Sequence, residues 1–298
     1  TGVKDGLIQA GLAIPTYVPN TVPAMFMIYS TVVLGHNDVV AATGAALETI
    51  YFNCPECLEE VRKLNAVSLG GWTSSAYLLN CTTPVKSLAD LKGKRIRATG
   101  GNAEMFKAAG AVPVGATLVE AVSLLQRGGL DCQHGIADWM RTFGYADFAK
   151  YVVDMPLGLT GPALGMFLNR DTWNKFTPEQ KKLHLEQAAY LSARMAIGNF
   201  LIANEEGLAA VIKDKGVQMI KPDADFEKMT TDYKKGERAR NVEIGKSFGL
   251  KDPGAIIDAY EKNIEKWRKL SPEIGRDVDK FVAALNREIY SKLDINKL

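Results

Sequence analysis

One uninterrupted helical pattern, from Thr177 to Gly216, sets the scale of whatever this chain folds into. Thr177 is an N-cap residue, and Pro178 follows at the first helical position, where a missing N–H costs nothing. Apolar residues at Leu183, Ala188, Leu191, Met195, Phe200, Leu208 and Val211 continue the helical spacing, and Gly216 stops it. About 35 residues of helix span on the order of 50 Å. That exceeds the diameter of one small lobe, so a helix of this length braces two. The chain of 298 residues, 47% hydrophobic and 23% charged, is long enough to bury the large core that two lobes need.

Elsewhere strands alternate with helices. Thr117 and Glu120 form a capping box that starts a helix from Leu118 to Arg127, and Ser87 with Asp90 starts a shorter one stopped by Gly93. Strands are expected over Leu7 to Ala13, Val67 to Leu69, Ala76 to Asn80, Arg95 to Ala98, Asp131 to Gly135 and Leu164 to Leu168. This is the order of an α/β fold with a largely parallel core. Two later helical segments, Asp225 to Phe248 and Pro253 to Lys292 with a break near Ser271-Pro272, carry Lys and Glu at solvent spacing and read as a solvated wrap.

Several function classes fall away. A net charge of +2 is too small to argue for nucleic acid or an anionic membrane. No run of about 18 apolar residues is present, and Met25-Phe26-Met27-Ile28-Tyr29 reads as a core segment. Thr1-Gly2-Val3-Lys4-Asp5-Gly6 has neither the basic nor the apolar region of a signal peptide, as a mature chain would not. Gly100-Gly101-Asn102 is not a dinucleotide fingerprint, and neither a phosphate-binding loop nor a Ser, His and Asp nucleophile motif appears.

What stands out instead is Arg97, closing a strand in Asp90-Leu91-Lys92-Gly93-Lys94-Arg95-Ile96-Arg97-Ala98-Thr99-Gly100-Gly101. A guanidinium can grip a carboxylate through two parallel charge-assisted hydrogen bonds, and the helix start after the glycine pair is expected to add free N–H groups. Arg95 alternates to the opposite strand face, so it is expected to be exposed or structurally paired.

The segment from Pro84 to Lys150 resembles the solute-binding proteins of TRAP transporters, the tripartite ATP-independent periplasmic systems for organic acids. The likeness rests on Ser87-Leu88-Ala89-Asp90-Leu91-Lys92-Gly93, Ile96-Arg97, Ala109-Gly110-Ala111-Val112-Pro113-Val114, Glu120 and Leu125-Gln126-Arg127-Gly128-Gly129-Leu130-Asp131. It continues more weakly through Leu168-Asn169-Arg170-Asp171-Thr172-Trp173 and the long helix. The resemblance implies a two-lobed periplasmic receptor without enzymatic activity or cofactor, which binds an organic acid in the cleft, closes by a hinge and delivers its ligand to a membrane permease. Lobe I would comprise residues 1–79 and 164–203, lobe II residues 80–163 and 204–245, and residues 246–298 would pack across both. Against the family pattern, the chain is expected to open inside lobe I, lacking that lobe's first strand and helix.

By the same resemblance, Arg97 is the carboxylate-binding arginine. Where the family carries a ligand-holding asparagine this chain has Gly135, an exchange expected to open space for a bulkier or flatter ligand. Trp72, Tyr77, Tyr17 and Trp139 would supply a flat apolar slot suited to an aromatic monocarboxylate. His134 is a further candidate contact. The alternatives are a receptor for C4-dicarboxylates or other small acids, an α/β enzyme that orients an acid substrate with Arg97, and a sensing domain of a signalling protein.

Four cysteines stand at Cys54, Cys57, Cys81 and Cys132. A structural disulfide, free buried thiols and metal or redox chemistry are the readings. Zinc lacks a second close pair, since His36, His134 and His184 are scattered, and a redox pair lacks its strand-helix context. A bridge from Cys54 or Cys57 to Cys81, closing about 25 residues, is expected, with Cys132 left out as belonging to the other lobe.

Overall fold

The computed structural model describes residues 2–32, 37–295 and 298. His36 lies outside the described residues. Among the described residues nine strands form two sheets: β1 Ala10–Ala13, β2 Ala66–Trp72, β3 Leu78–Cys81, β4 Arg95–Arg97, β5 Val112–Val114, β6 Cys132–Gly135, β7 Tyr151–Val153, β8 Ala163–Asn169 and β9 Gln218–Ile220. A three-stranded sheet runs β1-β8-β2, and a six-stranded sheet runs β5-β4-β6-β3-β7-β9.

The largely parallel core expected from the alternation is corrected. Only β4-β5, β4-β6 and β7-β9 pair in parallel, and the three-stranded sheet is antiparallel throughout. The reason is the double crossing of the chain. Strand β2 leaves the small sheet toward β3, and β8 returns beside it, so departing and returning strands must run in opposite directions. In the large sheet β3 is antiparallel to both β6 and β7. Strands β5, β7 and β9 have three residues each, too short for an alternating pattern to be seen.

The long helix is continuous from Pro178 to Lys215, and its centre, Arg194–Ala203, is wound as π-helix. Its length and composition would also suit a membrane crossing, but here its first half lies across β2 and the helix Val278–Glu288. The C-terminal helices are more than a solvated wrap. Helix Ala224–Ser247 buries Phe226, Tyr233, Glu237 and Asn241, and helix Pro253–Ile274 buries Ile257, Tyr260, Ile264 and Trp267. Trp267 lies on Gly44 of helix Val39–Phe52, where a Cβ would fall inside the indole, and its Nε1 donates to Glu48 Oε2 at 2.6 Å. Pro272 does not interrupt its helix: it stands in the last turn, two residues before the end at Ile274, and Gly275 at φ 56° ends the run.

The expected cysteine pairing is also corrected. Cys54 bridges Cys57 across the first turn of helix Pro55–Lys63, with Cα atoms 5.3 Å apart. Cys81 bridges Cys132, with Cα atoms 4.1 Å apart. Those two residues face each other on β3 and β6 of the large sheet, so Cys132 belongs with Cys81 and not to a separate lobe.

Candidate functional site

Arg97 ends β4 with only 3% of its surface exposed, and three of its donors are already engaged. Nε donates to the Ala116 carbonyl at 3.0 Å, Nη1 to the His134 carbonyl at 3.4 Å and Nη2 to the Tyr17 hydroxyl at 3.1 Å. A guanidinium has five N–H groups, so one remains on each terminal nitrogen. Among the described residues no carboxylate pairs with it. Arg95, on the other strand face, is paired structurally instead, through a bidentate bridge to Asp131 with bonds of 3.0 and 2.9 Å.

Arg97 looks into a cavity of about 220 Å³ lying between the two sheets. Tyr17 follows β1, Trp72 ends β2, and Met195 and Phe200 come from the π-wound segment of the long helix. Tyr77, Leu118 and Trp139 close the side toward the large sheet. Of the lining residues, Arg97 alone carries a charge.

Each indole wall rests on a glycine of a neighbouring or preceding element. A Cβ on Gly165 would stand 2.5 Å from Trp72 Cζ3, and one on Gly135 would stand 2.6 Å from Trp139 Cζ3. Gly135 therefore does not open free space in the cleft, as expected from the missing amide. Its space is filled by Trp139, and Gly135 itself is off the cavity wall.

His134 is also off the wall. It lies behind Tyr77, with ring centroids 5.1 Å apart, and against Phe106 at 4.9 Å. Burial, assisted by the positive charge of Arg97, pushes its pKa down to about 3, so the imidazole stays neutral. The glycine pair after β4 serves packing too: a Cβ at Gly101 would collide with the Ser30 carbonyl, and the helix start it permits does not line the cavity.

On its buried side the cavity carries hydroxyls. Thr160 N donates to Ser74 Oγ at 2.8 Å, and Thr160 Oγ1 donates to the Tyr77 hydroxyl at 2.8 Å. Tyr29 stands beside them, and burial raises the pKa of both tyrosines, so both remain protonated. Sequence reading brought Arg97, Tyr17, Trp72, Tyr77 and Trp139 forward, and these five do share the cavity. It missed Tyr29, Ser74, Thr160, Met195 and Phe200. Tyr29 sat in an apolar run read as core, Met195 and Phe200 in a helical stripe, and Thr160 in a loop whose only signal is Gly161-Pro162. No metal-binding group of His, Cys, Asp and Glu occurs among the described residues.

Comparison with known proteins agrees with this architecture. A TRAP solute-binding protein of Bordetella bronchiseptica, solved with bound mandelate, superposes with a TM-score of 0.69 at 22% identity, over 89% of this chain and 82% of that one. One from Rhodoferax ferrireducens, with copurified benzoate, gives 0.74 at 16% identity over 91% and 83%. A Bordetella pertussis extracytoplasmic receptor binding pyroglutamic acid gives 0.71 at 20% identity over 87% and 82%. Residues 38–238, more than half of the chain, match the model of the family described as DctP: Bacterial extracellular solute-binding protein, family 7. With its two sheets, long bracing helix and interposed cavity, the chain belongs to that family, the periplasmic solute-binding proteins of TRAP transporters, which are receptors for organic acids and not enzymes.

Proposed function

We propose that this receptor binds an aromatic monocarboxylate, its carboxylate on Arg97 and its ring between Trp72 and Trp139, and that it hands the ligand to a TRAP permease. The observation that carries this reading is Arg97 itself, a buried cation without a carboxylate partner among the described residues, keeping one N–H on each terminal nitrogen. Burying a charge unpaired is costly, and a bidentate carboxylate offsets that cost. A second ligand carboxylate would meet no cation on the lining, which argues against C4-dicarboxylates. The rest of the wall is indole, phenol and aliphatic surface, the environment a flat ring needs. That mandelate and benzoate occupy structural neighbours supports the same class.

The cavity lies between elements of both sheets, so a ligand touching both stabilises the closed arrangement by its difference in affinity for closed and open forms. The lobes would divide as residues 1–79 with 164–203 and residues 80–163 with 204–245. Calorimetric titration with benzoate and phenylacetate against succinate and malate tests the ligand class. Saturable binding of the aromatic acids with weak or absent dicarboxylate binding is expected; a clear win for succinate or malate overturns it.

A further inference from the structure

The two indole walls of the cleft stand on different sides of it, and no strand pairing joins the two sheets among the described residues. Their separation is therefore set by elements that touch both sides. The long helix is one: its first half lies across β2, and its last part, Asn204–Lys215, packs on the short helix Asp138–Thr142. At each end of its π-wound segment a side-chain oxygen takes the backbone N–H of the residue just before a wall tryptophan. Ser192 Oγ, ahead of the segment, accepts from Gly71 N at 3.1 Å, and Asn204 Oδ1, directly after it, accepts from Asp138 N at 3.0 Å. Trp72 follows Gly71, and Trp139 follows Asp138.

Each link is tightly built. Ser192 is fully buried; its Oγ donates its own proton to the Ala188 carbonyl at 2.8 Å and stands 3.5 Å from the Tyr290 hydroxyl. A Cβ on Gly70 would already press on that oxygen at 3.1 Å. On the other side, helix Asp138–Thr142 has no capping side chain at Ala137, so the Asp138 N–H is one of the orphan donors of a helix start, and Asn204 supplies its acceptor from another element. The Asp138 carboxylate is satisfied within its own helix, by Arg141 at 2.7 and 2.9 Å and by Thr142 at 2.6 Å. A Cβ on Gly207 would stand 2.8 Å from Asp138 Cα, so the two backbones meet there without a side chain between them. Met195 and Phe200, inside the π-wound segment, line the cavity, whereas Ser192 and Asn204 do not.

We propose that Ser192 and Asn204 are positioning residues that gauge the width of the cleft, the winding of the helix between them fixing the distance from Trp72 to Trp139. A π turn holds more residues than an α turn, and a run of ten such residues is uncommon. Rewound as α-helix, the segment would rotate Asn204 and Gly207 off Asp138 and free the Trp139 wall. Pressure on Met195 and Phe200 from inside the cavity acts on the same winding, so the two indoles move as a pair. The inference needs only that both indoles line the cavity, and it is independent of which acid fills it.

The test is fluorine NMR of the whole protein labelled with 5-fluorotryptophan, without ligand, together with calorimetry using benzoate, on wild type, Ser192→Ala, Asn204→Ala and the double variant. The 4 tryptophans give separate resonances, assigned by single Trp→Phe variants. Each single variant is expected to move the resonances of both Trp72 and Trp139, although Ser192 and Asn204 are on the order of 15 Å apart along the helix. Trp173 and Trp267, in the core beneath the small sheet, should stay in place and report an intact fold. Asn204→Asp, which keeps the oxygen acceptor, should restore both moved signals. Benzoate affinity should fall roughly two- to tenfold in each single variant, about the worth of one net hydrogen bond, and in the double variant by less than the product of the two, because both act on one distance. Movement of the neighbouring indole alone, movement of every tryptophan, no movement, failure of Asn204→Asp to restore the signals, or benzoate losses that multiply would each overturn the proposal. If wild type does not bind benzoate, the aromatic-acid reading falls and the fluorine spectra alone decide this one.

Discussion

The Trp139 indole rests directly on Gly135, in the place any larger residue's Cβ would need. Trp139 packs edge-on against Tyr77 at 5.3 Å, so this glycine sets the position of two cavity walls through one contact. Gly135→Ala is expected to displace the indole, lowering affinity for aromatic acids roughly tenfold or more and lowering the melting temperature by several degrees, an overpacking cost of about 1–3 kcal/mol. Tryptophan fluorescence, calorimetry and thermal melts check it. An alanine variant with wild-type affinity would show that Trp139 relaxes freely.

Arg97→Ala should abolish measurable acid binding. A charge-assisted pair left half empty costs on the order of 2–5 kcal/mol, or about 30-fold to several thousandfold in Kd. Arg97→Lys keeps the charge but loses the planar fork, and is expected to recover only part of the affinity. Calorimetry with benzoate decides it, and unchanged affinity in the alanine variant removes Arg97 from the site.

The two disulfides should contribute unequally. Cys81 and Cys132 are 51 residues apart in sequence and Cys54 and Cys57 only 3. In the chain-entropy model that corresponds to about 4 kcal/mol against about 2 kcal/mol. Cys81→Ser with Cys132→Ser should therefore lower the melting temperature more than Cys54→Ser with Cys57→Ser. Mass spectrometry of the non-reduced protein should recover a peptide linking Cys81 to Cys132; a link from Cys54 or Cys57 to Cys81 would contradict the β3-β6 register.

Glu60 gives stability a pH dependence. It is 7% exposed and accepts from Ala24 N at 2.7 Å and Met25 N at 3.3 Å, at the start of helix Pro23–Tyr29. Burial outweighs those bonds and raises its pKa from 4.5 to about 7. The folded state then holds a proton that the unfolded state has released between these values. Its contribution to stability is complete below pH 4.5 and is lost as pH rises through 7. Melts at pH 5 and pH 8 should show wild type losing more stability on that rise than Glu60→Gln. Equal slopes would place the Glu60 titration elsewhere.

Local signals in the chain were strong where chemistry is local. The capping boxes at Ser87, Thr117 and Thr177 each form as expected, because the hydroxyl and the group three residues on satisfy each other within one turn. The strand-end arginine, its partnered neighbour Arg95 and the long helix were legible for the same reason. The parallel expectation for the sheets was not, since strand direction depends on where the chain crosses between layers and not on the strand's own residues.

For the site, the sequence alone determined the charge and the supply of aromatic rings: Arg97, Trp72, Tyr77, Tyr17 and Trp139 are set by residue type and by position beside strands and turns. Only the tertiary structure decided that Gly135 supports Trp139, that His134 hides behind Tyr77, and that Cys132 pairs with Cys81. It also decided that Thr160, 83 positions from Tyr77, hydrogen-bonds to that residue's hydroxyl. These relations join segments far apart in sequence, and no periodicity or motif encodes which distant atom will occupy a given few ångströms once two sheets and a bracing helix close around them.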